Sequence, residues 1–280
     1  NQDFYLSQWY PKPAVYDKEG WHPMPYLDQG EFYSEIGSYD VSITLPKNYI
    51  VMATGNCQNA SEQQWLMKLS EQSLPSDTLF KKSFPKSDNE LKTLRYTEEN
   101  VHDFAWFADK RWVVRVDSFR YHATDAPIYT YTAFLPQHQK EWVKANNIIK
   151  ETLKIYGKEI GEYPYKTIKA VEGDMIAGGG MEYPTVTIID KSVFINLQEV
   201  IIHEAGHNWF YGILASNERK HPWMDEGINT YYDNRNTATI TRQPAKVNFL
   251  GKRLPMDNDQ FPLLLATLAK SKKDQAISTD

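Results

Sequence analysis

A single cysteine, Cys57, stands among 280 residues, so no internal disulfide can staple the chain. Long apolar runs are also missing. No stretch approaches the roughly 18 consecutive apolar residues of a membrane-crossing helix, and no span is expected. Positive charge is in short supply: 31 Lys and Arg face 36 Asp and Glu. The resulting net charge of −5 and pI near 5.9 exclude the basic face that a nucleic-acid surface needs. The start carries neither an initiator Met nor a signal-peptide pattern. Aromatic, strand-like sequence follows Asn1 quickly, so the chain is expected to begin inside a larger protein. What is there, 41% hydrophobic and 24% charged residues, is a globular mixture with room for two domains.

The most informative stretch is His203-Glu-Ala-Gly-His207, followed after eighteen residues by Glu226 within Trp-Met-Asp-Glu-Gly. In a helix, positions i and i+4 lie on one face, so His203 and His207 can address a single cation. Catalytic zinc sites take three protein ligands and leave the fourth position to water. Glu226 is the expected third ligand, and Glu204 is the expected general base towards that water. With 7 His in 280 residues, HExxH arises by chance in roughly one such chain in a hundred. A Glu at one fixed downstream position makes the coincidence about fifteen-fold rarer. Asn196-Leu-Gln-Glu199 reads as a helix start, and Leu197, Val200, Ile201 and Ala205 recur at helical spacing. A second helix is expected from near Pro222, with Asn229, Thr230 and Asp233 on the face of Glu226. Asp233 is either the outer carboxylate that orients a ligand histidine or an ordinary solvated acid.

Upstream lies Gly178-Gly-Gly-Met-Glu-Tyr-Pro184. Together with HExxH and the eighteen-residue gap to Glu226, this segment resembles the M1 family of zinc metallopeptidases, the gluzincin aminopeptidases. The resemblance implies one Zn2+ held by His203, His207 and Glu226, with Glu204 as base and peptides as substrates. It makes Glu182 the carboxylate that receives the substrate's free α-amino group, within a substrate-binding segment that includes Gly179, Gly180 and Met181. A fixed carboxylate suits an exopeptidase, because an internal peptide bond would leave it unpaired. The glycines let a backbone edge approach a substrate strand. Three departures from the family stand out. Tyr183 replaces the usual asparagine after the glutamate, and Tyr10 in Ser7-Gln8-Trp9-Tyr10 stands where an amine-binding residue is common. The family's oxyanion-stabilising tyrosine lies several tens of residues past the third ligand, whereas no Tyr follows Tyr232. The chain therefore reads as a truncated piece. These departures keep open an alternative, a zinc-bearing protein of the same fold that binds peptides or partners without cleaving them.

The expected fold class is α+β: part of a β-rich N-terminal domain over residues 1–125, then part of a thermolysin-like catalytic domain over 126–280. Tyr39 to Leu45 alternates as a half-buried strand, and Tyr49 to Ala53, Thr93 to Thr97 and Trp112 to Asp117 continue the pattern. His102 and Asp103 are read as a structural loop, since no ordered nucleophile accompanies them. Gln137 to Tyr156 predicts one long amphipathic helix stopped by Gly157. Strands are expected at Thr167 to Val171 and Thr185 to Ile189, and the polar tail from Lys270 to Asp280 is expected to fray.

Overall fold

Alternating side chains decide the first layer. Strand β4 (Gly37–Pro46) exposes every second residue, and its inward Ile43 and Leu45 are buried. A computed structural model describes residues 3–25, 32–73, 85–175, 179–193, 196–242, 245–249 and 252–256. The C-terminal tail beyond 256 lies outside them, as does Gly178.

In the N-terminal part, β4 pairs antiparallel with β7 (Leu91–Val101), which also pairs with the short β6 (Asn56–Cys57). A second sheet orders β1 (Asp3–Leu6), β8 (Trp106–Asp109) and β5 (Ile50–Ala53), again antiparallel, and β2 (Val15–Asp17) pairs with β3 (Gly20–His22) in a separate hairpin. Ile43, Leu45, Tyr49, Val51, Leu94, Tyr96 and Phe104 fill the space between the two sheets. Helix α1 (Ala60–Glu71) interrupts this β-rich part where only strands are predicted.

The second part is built on a mixed five-stranded sheet in the order β12 (Gly180–Met181), β13 (Val186–Asp190), β11 (Thr167–Gly173), β10 (Ile128–Phe134), β9 (Val113–Phe119). The three central strands are parallel, and both edge strands run antiparallel to their neighbours. The proposed division at 125/126 falls in the β9–β10 hairpin. On one face, Ile168, Ala170 and Ile189 pack against α3 (Ala145–Glu159) and α4 (Leu197–Gly206). On the other, Val171, Val186 and Ile188 pack against Met52, Leu66 and Phe107 from the N-terminal part. β13, Val-Thr-Ile-Ile-Asp in sequence, is buried along its whole length.

The single helix predicted over Gln137 to Tyr156 is in fact three pieces: a 3-10 turn at Pro136–His138, the four-residue α2 (Gln139–Trp142), and α3. Gly157 does not end α3, which continues to Glu159. Its missing side chain serves packing instead, since a Cβ there would meet the Tyr121 ring at 2.2 Å. After α4 the chain leaves helical geometry at Phe210 and Tyr211, and Tyr211 sits at φ 85°, ψ −64°. A π-helical turn at Trp223–Gly227 then leads into α5 (Ile228–Thr241). No helix among the described residues is long and apolar enough to cross a membrane.

Candidate metal centre

Helix α4 buries Leu197, Ile201, Ile202 and Ala205 against the sheet and α3, which turns His203 and His207 towards α5. The two imidazoles stand perpendicular, with their Nε2 atoms 3.0 Å apart. Each Nδ1 is engaged from behind by a carboxylate. Asp233 Oδ2 lies 2.6 Å from His203 Nδ1, and Asp225 Oδ1 lies 2.5 Å from His207 Nδ1. Asn229 locks the same corner by donating to the His203 carbonyl at 2.8 Å. Glu226 reaches in from the start of the second helical segment, with Oε2 3.3 Å from His203 Nε2 and Oε1 3.9 Å from His207 Nε2.

The donor set fits a zinc ion. With Nδ1–H held by a carboxylate, a neutral imidazole presents its Nε2 lone pair inward. Two such lone pairs 3.0 Å apart, with a carboxylate beside them, are mutually repulsive unless a cation lies between. Zinc bonds of about 2.0–2.2 Å in tetrahedral geometry give ligand-to-ligand edges of about 3.3–3.6 Å. The separations of 3.0, 3.3 and 3.9 Å bracket that range. Among protein groups alone, burial works against charging either imidazole. For His203, the bonds to Asp233 and Glu226 outweigh it and hold the pKa up to about 12. His207 is held up to about 10 by Glu182 and Asp225.

Glu204 is 4% exposed and lies on the sheet side of α4. Burial pushes its carboxyl above the usual range, against the pull of His203 and His207. Edge strand β12 passes directly over it, and a Cβ at Gly180 would stand 2.3 Å from Glu204 Oε1. Gly179 adopts φ +73°, a conformation that favours glycine. The Thr187 hydroxyl donates to the Met181 carbonyl at 2.9 Å and lies 3.4 Å from Glu204 Oε2. Next along, Glu182 is buried, its Oε1 has no hydrogen-bond partner among the described residues, and burial raises its pKa as well.

The two departures within the described residues have structural places. Tyr183 is buried against Phe107. The Tyr10 hydroxyl donates to Asp103 Oδ1 at 2.8 Å and lies 2.9 Å from the Tyr39 hydroxyl. Asp103, in its loop, also takes bonds from Gln8 and Lys12, so it anchors the N-terminal segment. Thr230, expected on the face of Glu226, is exposed. Sequence reasoning missed Asp225 and Thr187. Asp225 sits in plain view beside Glu226, but nothing local marks it as the partner of a histidine eighteen residues back.

No family profile matches the chain. Among curated proteins it resembles aminopeptidase 2 of Candida albicans, 27% identical over 132 residues, or 41% of this chain and 14% of that protein. Leucine aminopeptidase 2 of Neosartorya fischeri is 33% identical over 71 residues, 24% of this chain and 12% of the relative. Aminopeptidase B of Rattus norvegicus is 35% identical over 65 residues, 22% of this chain and 10% of the relative. Among solved structures, an M1 zinc metallopeptidase from Deinococcus radiodurans superposes with a TM-score of 0.58 at 14% identity. That match covers 88% of this chain and 48% of the other. A two-domain M1 zinc metallopeptidase variant bound to L-arginine gives 0.53 at 16% identity, covering 74% of this chain and 42% of the other. The chain thus spans under half the length of these structures and a smaller share of the curated relatives. Its fold is similar to that of the M1 zinc metallopeptidases, and parts of its sequence are similar to parts of the aminopeptidases.

Proposed function

We propose that the protein containing this chain is a zinc-dependent aminopeptidase that removes N-terminal residues from peptides. The observation that carries this reading is the pair of imidazoles, each anchored at Nδ1 by a carboxylate, with both Nε2 atoms and Glu226 converging beside a buried Glu204. A closed structural zinc site has four Cys or His ligands and no use for a base.

His203, His207 and Glu226 would hold one zinc ion. Bound there, zinc lowers the pKa of water and polarises a scissile carbonyl. The remaining work falls to the chain's own groups. Glu204 takes the proton of the attacking water and returns it to the leaving amine nitrogen. Asp233 and Asp225 keep the two imidazoles in the tautomer that leaves Nε2 free. A substrate strand lies along Gly179 and Gly180, where the lack of side chains brings its backbone close to Glu204. Glu182 pairs with the terminal ammonium, which places the first peptide bond opposite the base.

The test is a panel of aminoacyl chromophores and their N-blocked forms, on the full-length protein with and without chelator. Chelator-sensitive hydrolysis confined to free-amine substrates is expected. Glu204→Gln should retain zinc and lose about 10²–10⁴-fold in kcat. Cleavage of N-blocked peptides would instead mark an endopeptidase, and no turnover by the zinc-loaded protein would mark a binding protein.

A further inference from the structure

Glu182 Oε1, Asp225 Oδ2 and the Tyr211 hydroxyl are buried and have no hydrogen-bond partner among the described residues. Their residues are 8%, 0% and 1% exposed. Glu182 and Asp225 each bring a carboxylate oxygen within 4.8 Å of the other and of a His207 ring nitrogen. The Tyr211 hydroxyl, on the irregular turn that follows α4, is held in its neutral form first by burial and then by the charges of Glu218, Asp103, Glu182 and Asp225. Two of those four acids are engaged elsewhere. Glu218 accepts the Phe32 backbone N–H, and Asp103 holds Gln8, Tyr10 and Lys12. Asp225 gives only Oδ1 to His207, and its buried Oδ2 takes no hydrogen bond from any described residue.

We propose that Asp225 is a second carboxylate of the pocket for the substrate's terminal ammonium, set across from Glu182, with the Tyr211 hydroxyl as the third acceptor. The assignment rests on the aminopeptidase reading above. A primary ammonium carries three N–H donors and no acceptor, and three buried oxygens stand ready for them. Charge-assisted N–H···O bonds of about 2.7–2.9 Å at tetrahedral angles place their acceptors about 4.5 Å apart, which the carboxylate spacing accommodates. Two carboxylates so close together repel when both are ionised, and an ammonium between them removes that repulsion. The assignment also explains how Tyr10 can be spent on Asp103 and Tyr39 without leaving the amine short of partners.

The test is Asp225→Asn in the full-length, zinc-loaded protein, with leucinamide as binding probe and an L-leucyl chromophore as substrate. The asparagine oxygen still accepts from His207 Nδ1, so one equivalent of zinc should remain by metal analysis. Leucinamide binding should weaken about tenfold to a hundredfold, the loss typical of a charge-assisted hydrogen bond. KM should rise to match, with kcat changed much less. Tyr211→Phe, which deletes a hydroxyl with no partner among the described residues, should fold normally and raise KM several-fold. Unchanged KM and leucinamide affinity in Asp225→Asn would overturn the assignment, as would a loss confined to kcat or accompanied by loss of zinc. Two zinc equivalents in the wild type, falling to one in the variant, would overturn it in favour of a second metal. If the wild type neither binds nor cleaves any free-amine probe, the aminopeptidase reading itself fails.

Discussion

The proposed chemistry depends on single atoms whose neighbours are fixed from behind. His207 is 1% exposed and reaches Asp225 through Nδ1. His207→Ala should therefore lose stoichiometric zinc, and full retention in metal analysis would remove it from the ligand set. Asp233→Ala leaves His203 Nδ1 without its carboxylate at 2.6 Å. Zinc affinity should fall about 10–100-fold, as read by competition with a chromogenic chelator. The most economical test of packing is Gly180→Ala. One methyl group would stand 2.3 Å from Glu204 Oε1 and 2.4 Å from its Cδ. Either β12 or Glu204 must move, so turnover should collapse while zinc stays bound. A normal kcat would show that the strand and the base are not in contact.

Elements were legible in sequence where their own periodicity carried the signal, and obscure where distant contacts decided. β4 and β13 are found because alternation or a cluster of β-branched residues is visible locally. Helix α4 is found because Leu197, Ile201 and Ala205 share a stripe. By contrast, α1 is polar on average and is held by what it covers: Leu66 packs into the core shared by the two parts of the chain. The break at residues 143–144 and the passage of α3 beyond Gly157 depend on Phe134 stacking on Trp142 and on the Tyr121 ring, neither of which is local. The turn after α4 is similar. Asn208 fixes it, with Oδ1 accepting the Thr185 N–H at 3.0 Å and Nδ2 donating to the Ala205 carbonyl at 3.1 Å. The sequence offers only an asparagine after HExxH. Asn208→Ala should strand a buried N–H and destabilise by about 1–3 kcal/mol, measured by urea unfolding. A change under 0.5 kcal/mol would show that the connection is dispensable.

At the level of the whole molecule, the two parts are joined by more than apolar packing. The Gly55 N–H donates to Thr185 Oγ1 at 2.7 Å, and the Gly55 carbonyl accepts from Lys169 Nζ at 2.7 Å. Gly55 sits at φ +78° with the Thr97 carbonyl where a Cβ would be, so the tight turn needs glycine. Lys169 is 3% exposed, and burial pushes its pKa down to about 7. Its unfolded value is near 10.5, so between about pH 7 and 10.5 the unfolded chain binds the extra proton. Stability should therefore rise with pH across that window, by at most about 1.4 kcal/mol per pH unit, and be flat in this respect below 7. Lys169→Met should remove the slope, as seen in unfolding midpoints at pH 7 and pH 9. The same joint predicts the behaviour of residues 126–280 expressed alone. They would expose Val171, Val186 and Ile188 and leave β10 without β9. Aggregation on size-exclusion chromatography is expected, and a monodisperse, zinc-loaded fragment would show that the first layer is not needed.

Strand β12 has a further consequence, for self-association. Among the described residues it forms one border of the five-stranded sheet and pairs only with β13, through Gly180 and Met181. An open border long enough to receive a peptide is also long enough to recruit another copy of the protein, the usual route to amyloid-like stacking. Here the pairing stretch is two residues, one of them glycine. Brevity lets a ligand's first residues dock and leave, yet gives a second sheet too few bonds to grow from. Lengthening β12 by substituting β-branched residues would therefore trade a working cleft for a precipitating protein.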